Sequence, residues 1–313
     1  MTARAAAATS AADATSHLTA AWFEAMRRGD FAAAWRVSDR ILAGRTPGQR
    51  CWHLPRHEQW VWDGRPLADR TVLVRCYHGL GDTIQFARFL PLLPELGCET
   101  LVWAQPPLLP LLETLPGVRR LLPLHDGDPG VDYAVDIEIM ELAHALRVSA
   151  DSLPGYVPYF GVPPGPRVSD RLSVGVLAQA GDWDPRRSVP ADMLTGLGDA
   201  ERVALFNLQL EPPLPGMADL STPDVLLLAS RLRSLDLVIT PDTMLAHLAG
   251  ALGVSTWTLL PADADWRWMG SERTDSPWYP TMRLFRQSRP GDWGPVMAEV
   301  RRHLAHLVRR PDA

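Results

Sequence analysis

YHGLGDTIQFARF, residues Tyr77–Phe89, follows the strand-like run TVLVR of Thr71–Arg75. An apolar run, a glycine turn and a helical pattern in succession are typical of the opening unit of a parallel α/β domain. Gly79 and Gly81 predict a tight turn that a ligand can approach closely, and the following helix presents unpaired N–H groups. Ligands bind outside the carboxyl ends of such strands, so the stretch predicts a binding crevice.

Asp82 falls at the start of the predicted helix, where two roles are open. Asp82 and Gln85 have the D-x-x-Q spacing of a capping box, which is a complete structural explanation worth about 1 kcal/mol. A carboxylate at the mouth of a crevice can also act as a general base. The residue types alone do not separate the two roles.

Composition limits the classes of partner. The chain has 313 residues, 46% of them apolar, which is enough for one or two domains. The formal net charge is -5 and the sequence contains no sustained basic run, so we expect no nucleic-acid partner. All 31 basic residues are arginine, which excludes lysine nucleophiles, Schiff bases and P-loop lysines; any basic anion contact must use a guanidinium fork.

Cysteine usage and the N-terminus predict a cytoplasmic protein. Cys51, Cys76 and Cys98 are widely spaced and odd in number, which fits reduced thiols better than a disulfide framework or a zinc cluster. Residues 1–16 are rich in Ala and Thr without a continuous hydrophobic run, and no stretch of 18 apolar residues occurs. We expect a disordered leader over residues 1–16 and no transmembrane segment.

The rest of the chain predicts a helical hairpin followed by two α/β domains. Residues 17–54 place apolar side chains on helical faces around Gly29 and Asp30, which predicts two helices joined by a turn. GDFAAAW of Gly29–Trp35 is similar to part of a tetratricopeptide repeat. The hairpin either packs on the next domain or docks a partner. Strand-like and helical patterns then alternate over residues 55–162 and again over 172–313, which predicts two open parallel sheets. The Pro- and Gly-rich residues 163–171 are the expected linker. The strand-like runs are Thr71–Arg75, Thr100–Ala104, Asp132–Ile137, Leu172–Leu177, Arg202–Leu208, Asp236–Thr240, Ser255–Leu260 and Met282–Phe285.

The C-terminal segment carries Val296, Val300, Leu304 and Leu307 at helical spacing, with arginines at other positions. This pattern predicts a helix that faces the core and exposes a basic face, with a membrane-surface helix as the alternative.

Two further clusters follow predicted strands. In TPDTMLAHLAGALG of Thr240–Gly253, Asp242 or Thr243 can cap a helix, and Thr243 and His247 share one face near its positive end. A diphosphate could be held there by free N–H groups; alternatively, His247 is a core histidine. In AGDWDPRRSVP of Ala180–Pro190, the donors Arg186, Arg187 and Ser188 could bind phosphate oxygens or form a solvated loop.

The loop of Ala264–Gln287 is rich in aromatic residues. Trp266, Trp268, Trp278 and Tyr279 crowd into a segment with few strand signals. Loops of this kind often border ligand sites, and tryptophan faces suit sugars or nucleobases.

Together and in this order, the clusters resemble glycosyltransferase family 9, the ADP-heptose:LPS heptosyltransferase-like enzymes, and more closely the branch associated with tetratricopeptide repeats. The resemblance covers about Pro55–Leu304, and its most specific pieces are GLGDTIQFARFLPLL, DTMLAHLAGALG and DWRWMGSERTDSPWYPTMRLFRQSRPGDW. It implies a GT-B architecture of two facing Rossmann-like domains, with the acceptor on the first and a nucleotide-sugar on the second.

The resemblance also implies roles for individual residues. Asp82 takes the position of the proposed general base of an inverting transfer, with Gly79, Gly81 and Gln85 around it on the acceptor side. The donor nucleotide and diphosphate would be bound by a set on the second domain. That set is Arg186, Arg187, Ser188, Asp242, Thr243, Met244, Leu245 and His247.

The sequence contains no convincing Asp-x-Asp motif and no convincing His cluster with ligand spacing, so we expect a metal-independent enzyme that needs no cofactor beyond its donor substrate. The family's lysine near the diphosphate is absent, and Met244 stands where the family usually has a small residue. Both differences leave the donor sugar open, and the acceptor, a glycan, protein or peptide, is equally open. The alternative is a non-catalytic nucleotide-sugar-binding or scaffold protein on a GT-B frame.

Overall fold

The computed structural model describes residues 16–43, 61–66, 69–118 and 120–309. The predicted leader and Cys51 lie outside these residues, apart from residue 16. The helices are α1 (residues 16–27), α2 (Phe31–Leu42), α3 (Leu80–Phe86), α4 (Leu109–Leu112), α5 (Leu142–Ala145), α6 (Ala191–Leu194), α7 (Val225–Leu232), α8 (Met244–Ala251) and α9 (Trp293–Arg309). The strands are β1 (Thr71–Cys76), β2 (Glu99–Ala104), β3 (Arg120–Pro123), β4 (Val135–Glu138), β5 (Leu172–Val176), β6 (Val203–Asn207), β7 (Ala218–Asp219), β8 (Leu237–Pro241), β9 (Thr256–Leu260) and β10 (Met282–Arg286).

The strands form two separate parallel sheets. The first has the order β3-β2-β1-β4 and the second the order β10-β9-β8-β5-β6-β7. The central strands β1 and β8 are buried along almost their whole length, which is why they appear in the sequence as continuous apolar runs. Because β1 and β8 lie inside their sheets, the turns that follow them open at the carboxyl edges where α/β proteins bind ligands.

The predicted α/β class with two parallel sheets is confirmed, with local differences. Strand β4 begins at Val135 rather than Asp132. The short strands β3 and β7 were not predicted: β3 ends in a proline at the sheet edge, and β7 has two exposed residues. Edge strands of this kind lack the buried apolar run that reveals central strands.

The helical hairpin contacts both α/β domains. The indole N–H of Trp35 donates to the Val148 carbonyl at 2.7 Å, and Asp39 accepts hydrogen bonds from Arg147 at 2.8 and 3.0 Å. On the other side, Phe31 packs at 6.0 Å between ring centroids against Trp278 of the second domain. The hairpin therefore bridges the two domains instead of packing on the following one alone.

Helix α9 covers one face of the second sheet. Val296, Val300 and Leu304 are buried as predicted, whereas Leu307 is 40% exposed and Val308 takes the next core position. Among the described residues, no helix is both long and apolar enough to span a membrane.

Candidate functional site

The glycine turn after β1 places Asp82 in the first turn of α3, but not as its N-cap. Gly79 is the N-cap, and the Asp82 carboxylate reaches back so that its Oδ2 accepts the Gly79 N–H at 3.0 Å. The predicted D-x-x-Q box with Gln85 is wrong, because Asp82 occupies the third helical position and Gln85 faces away into a buried contact. The bond to Gly79 fixes one oxygen of Asp82 at the helix N-terminus.

Gly81 serves the packing of α3 on α8 of the second domain. A Cβ at this position would lie 2.9 Å from His247 Cδ2 and 3.3 Å from Met244 Cα. The backbone torsion φ of Gly81 is not in the left-handed region, so the glycine is explained by space rather than by turn geometry. The glycine was predicted to let a ligand approach closely, but in the structure it is helix α8 that approaches Gly81. The first turns of α3 and α8 are thereby in contact.

Arg267 crosses from the second domain to Asp82. Its Nη2 donates to Asp82 Oδ1, its Nε donates to Gln85 Oε1 at 2.8 Å, and its Nη1 donates to Asp265 Oδ1 at 2.9 Å. Burial opposes the charge, yet the carboxylates of Asp265 and Asp82 raise the pKa of Arg267 above its ordinary value. All three guanidinium nitrogens are engaged, and the side chain is only 11% exposed.

The β8–α8 corner packs against the first turn of α3, next to Asp82. Thr243 is the N-cap of α8, and its Oγ1 accepts the Leu245 N–H at 3.2 Å. The carboxyl group of Asp242 is buried, and burial raises its pKa. Met244 begins the helix, while the side chain of Leu245 is buried in the core and so offers a ligand only its backbone.

His247 lies one turn further along α8 and is buried in an aromatic setting. Its Nδ1 lies 3.0 Å from the Tyr279 hydroxyl, its Nε2 is 3.9 Å from Asp242 Oδ1, and its ring stacks on Trp268 at 5.4 Å between centroids. Burial, with the nearby positive charge of Arg267, holds the pKa of His247 well below 6.5. At neutral pH His247 is therefore an uncharged hydrogen-bonding group.

The predicted donor cluster Arg186, Arg187 and Ser188 does not point to one place. Arg187 reaches the corner, where its Nη1 donates to the Asp242 carbonyl at 2.6 Å. Arg186 is folded back onto Asp184 in a bidentate pair at 2.8 and 2.9 Å and is largely exposed. Ser188 accepts the N–H of Ala180 at 2.9 Å. Only Arg187 of the three contacts the β8–α8 corner in the structure.

The aromatic residues of the 264–287 loop are core residues rather than exposed platforms. Trp268, Trp278 and Tyr279 are fully buried. Tyr279 packs so closely on α8 that a Cβ on Gly250 would lie 2.5 Å from its ring. The expectation that these rings face a sugar or a nucleobase is wrong, because the hairpin and α8 cover them.

Arg88 is a second buried arginine at the domain boundary. Its Nη1 donates to the Trp278 carbonyl at 2.6 Å and to the Pro154 carbonyl at 3.2 Å, and its guanidinium lies 4.7 Å from the Tyr279 ring centroid. Sequence reasoning missed both Arg88 and Arg267, because in a chain with 31 basic residues nothing local distinguishes an arginine whose partners lie in another domain.

A cavity of about 520 Å³ opens at the carboxyl edge of the first sheet. Arg75 at the end of β1, Trp103 of β2 and His125 after β3 line it, together with Tyr77 and Asp126. Tyr77 is 38% exposed and lies in the turn that leads to Gly79 and Asp82. The cavity combines aromatic, cationic and acidic groups, as a site for a polar ligand requires.

The described part of the chain contains no group of three or more His, Cys, Asp or Glu side chains placed to hold a metal ion. Cys76 and Cys98 are buried thiols, and burial raises the pKa of the Cys76 thiol well above its usual value.

The two facing parallel-sheet domains and the bridging site between them define the GT-B architecture. The chain has the fold of the heptosyltransferases of glycosyltransferase family 9. It is similar to the family 9 glycosyl transferase from Veillonella parvula, with a TM-score of 0.57, 11% identity and coverage of 79% of this chain and 99% of that one. It is also similar to ADP-heptose LPS heptosyltransferase II of E. coli, with a TM-score of 0.54, 15% identity and coverage of 76% and 98%.

A third similar structure is E. coli heptosyltransferase WaaC with ADP-2-deoxy-2-fluoro heptose, with a TM-score of 0.51, 12% identity and coverage of 76% and 99%. In sequence, the chain is 27% identical to protein FlbA of Caulobacter vibrioides over 76% of this chain and 47% of FlbA, so it spans about half the length of that relative. No protein-family model matches the sequence. The predicted resemblance is thus confirmed for the fold, and the link to tetratricopeptide repeats stays a prediction.

Proposed function

We propose that this chain is an inverting, metal-independent glycosyltransferase that moves a sugar from a nucleotide-sugar to an acceptor hydroxyl. The observation that carries the proposal is the placement of Asp82 at the first turn of α3, against the β8–α8 corner of the facing domain. A base on one domain and an anion-binding helix start on the other are what direct displacement at an anomeric carbon needs.

The donor would bind at the β8–α8 corner. Its diphosphate would meet the backbone N–H groups at the start of α8, whose N-cap is Thr243, and the guanidinium of Arg187, which already contacts the Asp242 carbonyl. Fixed cationic donors can stabilise the charge that develops on a leaving diphosphate. His247, uncharged at neutral pH, would act by hydrogen bonding. E. coli WaaC has been solved with an ADP-sugar analogue, which supports a nucleotide-sugar as the donor class.

The acceptor would occupy the cavity beside Tyr77, at the carboxyl edge of the first sheet. In the transfer, Asp82 would take the proton of the acceptor hydroxyl while the acceptor oxygen forms a bond to the anomeric carbon. The bond from that carbon to the diphosphate oxygen would break on the opposite face, and the nucleoside diphosphate would leave with the electron pair. One displacement inverts the configuration and forms no glycosyl-enzyme.

The test is a transfer assay with Asp82→Asn. Asparagine keeps a side-chain oxygen for the Gly79 N–H but cannot take a proton, so transfer should fall by at least about 100-fold, the scale of general-base catalysis. The matched control is Asp275→Asn, because Asp275 forms an ion pair with Arg273 at 2.9 Å in the exposed part of the 264–287 loop and should leave transfer unchanged. Transfer that persists in Asp82→Asn would overturn the base assignment, and nucleotide-sugar binding without any transfer by the unaltered chain would favour the scaffold alternative.

A further inference from the structure

Arg267 engages groups of both domains through one guanidinium. Its Nη2 holds Asp82 and its Nε holds Gln85 on α3, while its Nη1 holds Asp265 in its own loop. Gln85 is fully buried, so the contact closes the domain boundary beside the proposed base.

This contact occupies the carboxylate that the proposed reaction needs. Asp82 Oδ2 accepts the Gly79 N–H and Oδ1 accepts the Arg267 Nη2. An acceptor hydroxyl would have to compete with the charged guanidinium of Arg267 for a hydrogen bond to Oδ1. In this arrangement Asp82 is not available to take a proton from the acceptor.

Arg267 also lies near the β8–α8 corner. It directly precedes Trp268, whose ring stacks on His247 of α8 at 5.4 Å between centroids, and its partner Asp82 follows Gly81, which packs against the start of α8. Arg187 reaches the same corner through the Asp242 carbonyl, where the donor diphosphate is proposed to bind. A diphosphate carries more negative charge than a single carboxylate and matches the guanidinium fork, so it can displace Asp82 from Arg267.

We propose that Arg267 is a positioning residue that couples donor binding to release of the base. Before the donor binds, Arg267 holds Asp82; when the diphosphate binds, Arg267 turns to it and Asp82 is freed for the acceptor hydroxyl. The inference rests on the proposed function, since it takes a nucleoside diphosphate as the ligand and Asp82 as the base. It predicts that donor binds before acceptor.

The experiment is a double-mutant cycle on nucleotide binding by calorimetry, without acceptor or turnover. ADP, GDP and UDP are titrated into the full chain, and the tightest binder is carried through the cycle. Asp82→Asn removes the competitor for Arg267 and should tighten binding by about tenfold, which is about 1.4 kcal/mol. Arg267→Gln should weaken binding by about tenfold, and the double variant should match Arg267→Gln, because without Arg267 nothing is gained by removing Asp82.

The sign of the Asp82→Asn effect separates this role from a structural one, since a role confined to interface packing predicts unchanged or weaker binding. Asp265→Asn removes the other carboxylate on Arg267 and should also tighten binding, which keeps the test decisive if Asp82→Asn does not fold. Arg273→Gln is the control, because Arg273 pairs with Asp275 in the same loop. If the unaltered chain binds a nucleotide tightly and both Asp82→Asn and Asp265→Asn bind it equally or more weakly than the unaltered chain, the coupling is overturned. The proposed function is not affected by that result. No binding of any of the three nucleotides would overturn both.

Discussion

Replacing Gly81 by alanine tests whether α3 and α8 pack as closely as the structure has them. In an isolated helix the change would stabilise, since alanine is favoured over glycine by at most about 1 kcal/mol. Here the new Cβ would lie 2.9 Å from His247 Cδ2 and 3.3 Å from Met244 Cα. The helix preference and the contact between helices therefore predict effects of opposite sign.

The magnitude follows from how little the neighbours can move. The His247 ring is stacked on Trp268 and bonded to Tyr279, and the Met244 contact is to backbone. Overpacking of a filled core costs about 1–3 kcal/mol. After subtraction of a helix preference of about 1 kcal/mol, Gly81→Ala should lower the free energy of unfolding by up to about 2 kcal/mol.

The assay is thermal unfolding followed by tryptophan fluorescence. At about 2–4 °C per kcal/mol for a domain of this size, Gly81→Ala should melt up to about 8 °C below the unaltered chain. Gly181→Ala is the matched control, because a Cβ added to Gly181 would meet no atom within 4 Å and its φ is not positive; its stability should change by less than about 0.5 kcal/mol. A Gly81→Ala protein that melts higher than the unaltered chain would refute the α3–α8 packing and with it the placement of Asp82.

Three further predictions concern pH, the hairpin and metals. Burial lowers the pKa of His247 below 6.5 in the folded protein, so as the pH falls the unfolded chain is protonated at His247 before the folded one. The contribution of His247 to stability should therefore be complete above about pH 6.5 and fall as the pH drops. In urea titrations from about pH 7.5 to about pH 5, His247→Gln should lose less stability with falling pH than the unaltered chain, and an equal dependence of stability on pH in the two proteins would contradict the assignment. Phe31→Ala removes a ring that is 2% exposed and should lower the free energy of unfolding in urea by about 3–5 kcal/mol. The control Phe23→Ala removes a ring that is 39% exposed and should lower it by less than about 1 kcal/mol. Equal losses of stability in the two variants would argue against the contact between the hairpin and Trp278. Transfer should continue at an unchanged rate in EDTA, since the charge proposed beside the diphosphate is arginine, and activity lost on chelation and restored by Mg²⁺ would show that a metal is required.

The fold could be predicted because its main signals are local. Each central strand is a short apolar run followed by a turn and a helix, and a parallel sheet buries such runs on both faces. The glycine turn also located Asp82 correctly at the carboxyl edge of the first sheet. Its partner could not be predicted, because Arg267 lies 185 positions away in sequence and no periodicity connects the two.

Two errors about the site concern residues at the domain boundary. The D-x-x-Q spacing favoured a box between Asp82 and Gln85 worth about 1 kcal/mol, but Gly79 rather than Asp82 is the N-cap, and Gln85 instead accepts a hydrogen bond from Arg267 of the second domain. Trp278 looked like a ligand platform because a loop without strand signals is usually exposed. Gln85 and Trp278 both have partners that are distant in sequence, which no local pattern displays.

The same packing connects the N-terminal hairpin to the candidate site. Trp22 of α1 contacts Trp266 at 5.1 Å between ring centroids, and Trp266 is the residue directly before Arg267. On the other side, the indole N–H of Trp278 donates to the Arg267 carbonyl at 2.8 Å, and Phe31 of α2 packs on Trp278. The backbone that carries Arg267 is thus supported on both sides by residues in contact with the hairpin. Since the guanidinium of Arg267 holds Asp82, the position of the proposed base depends on packing that begins outside both sheets.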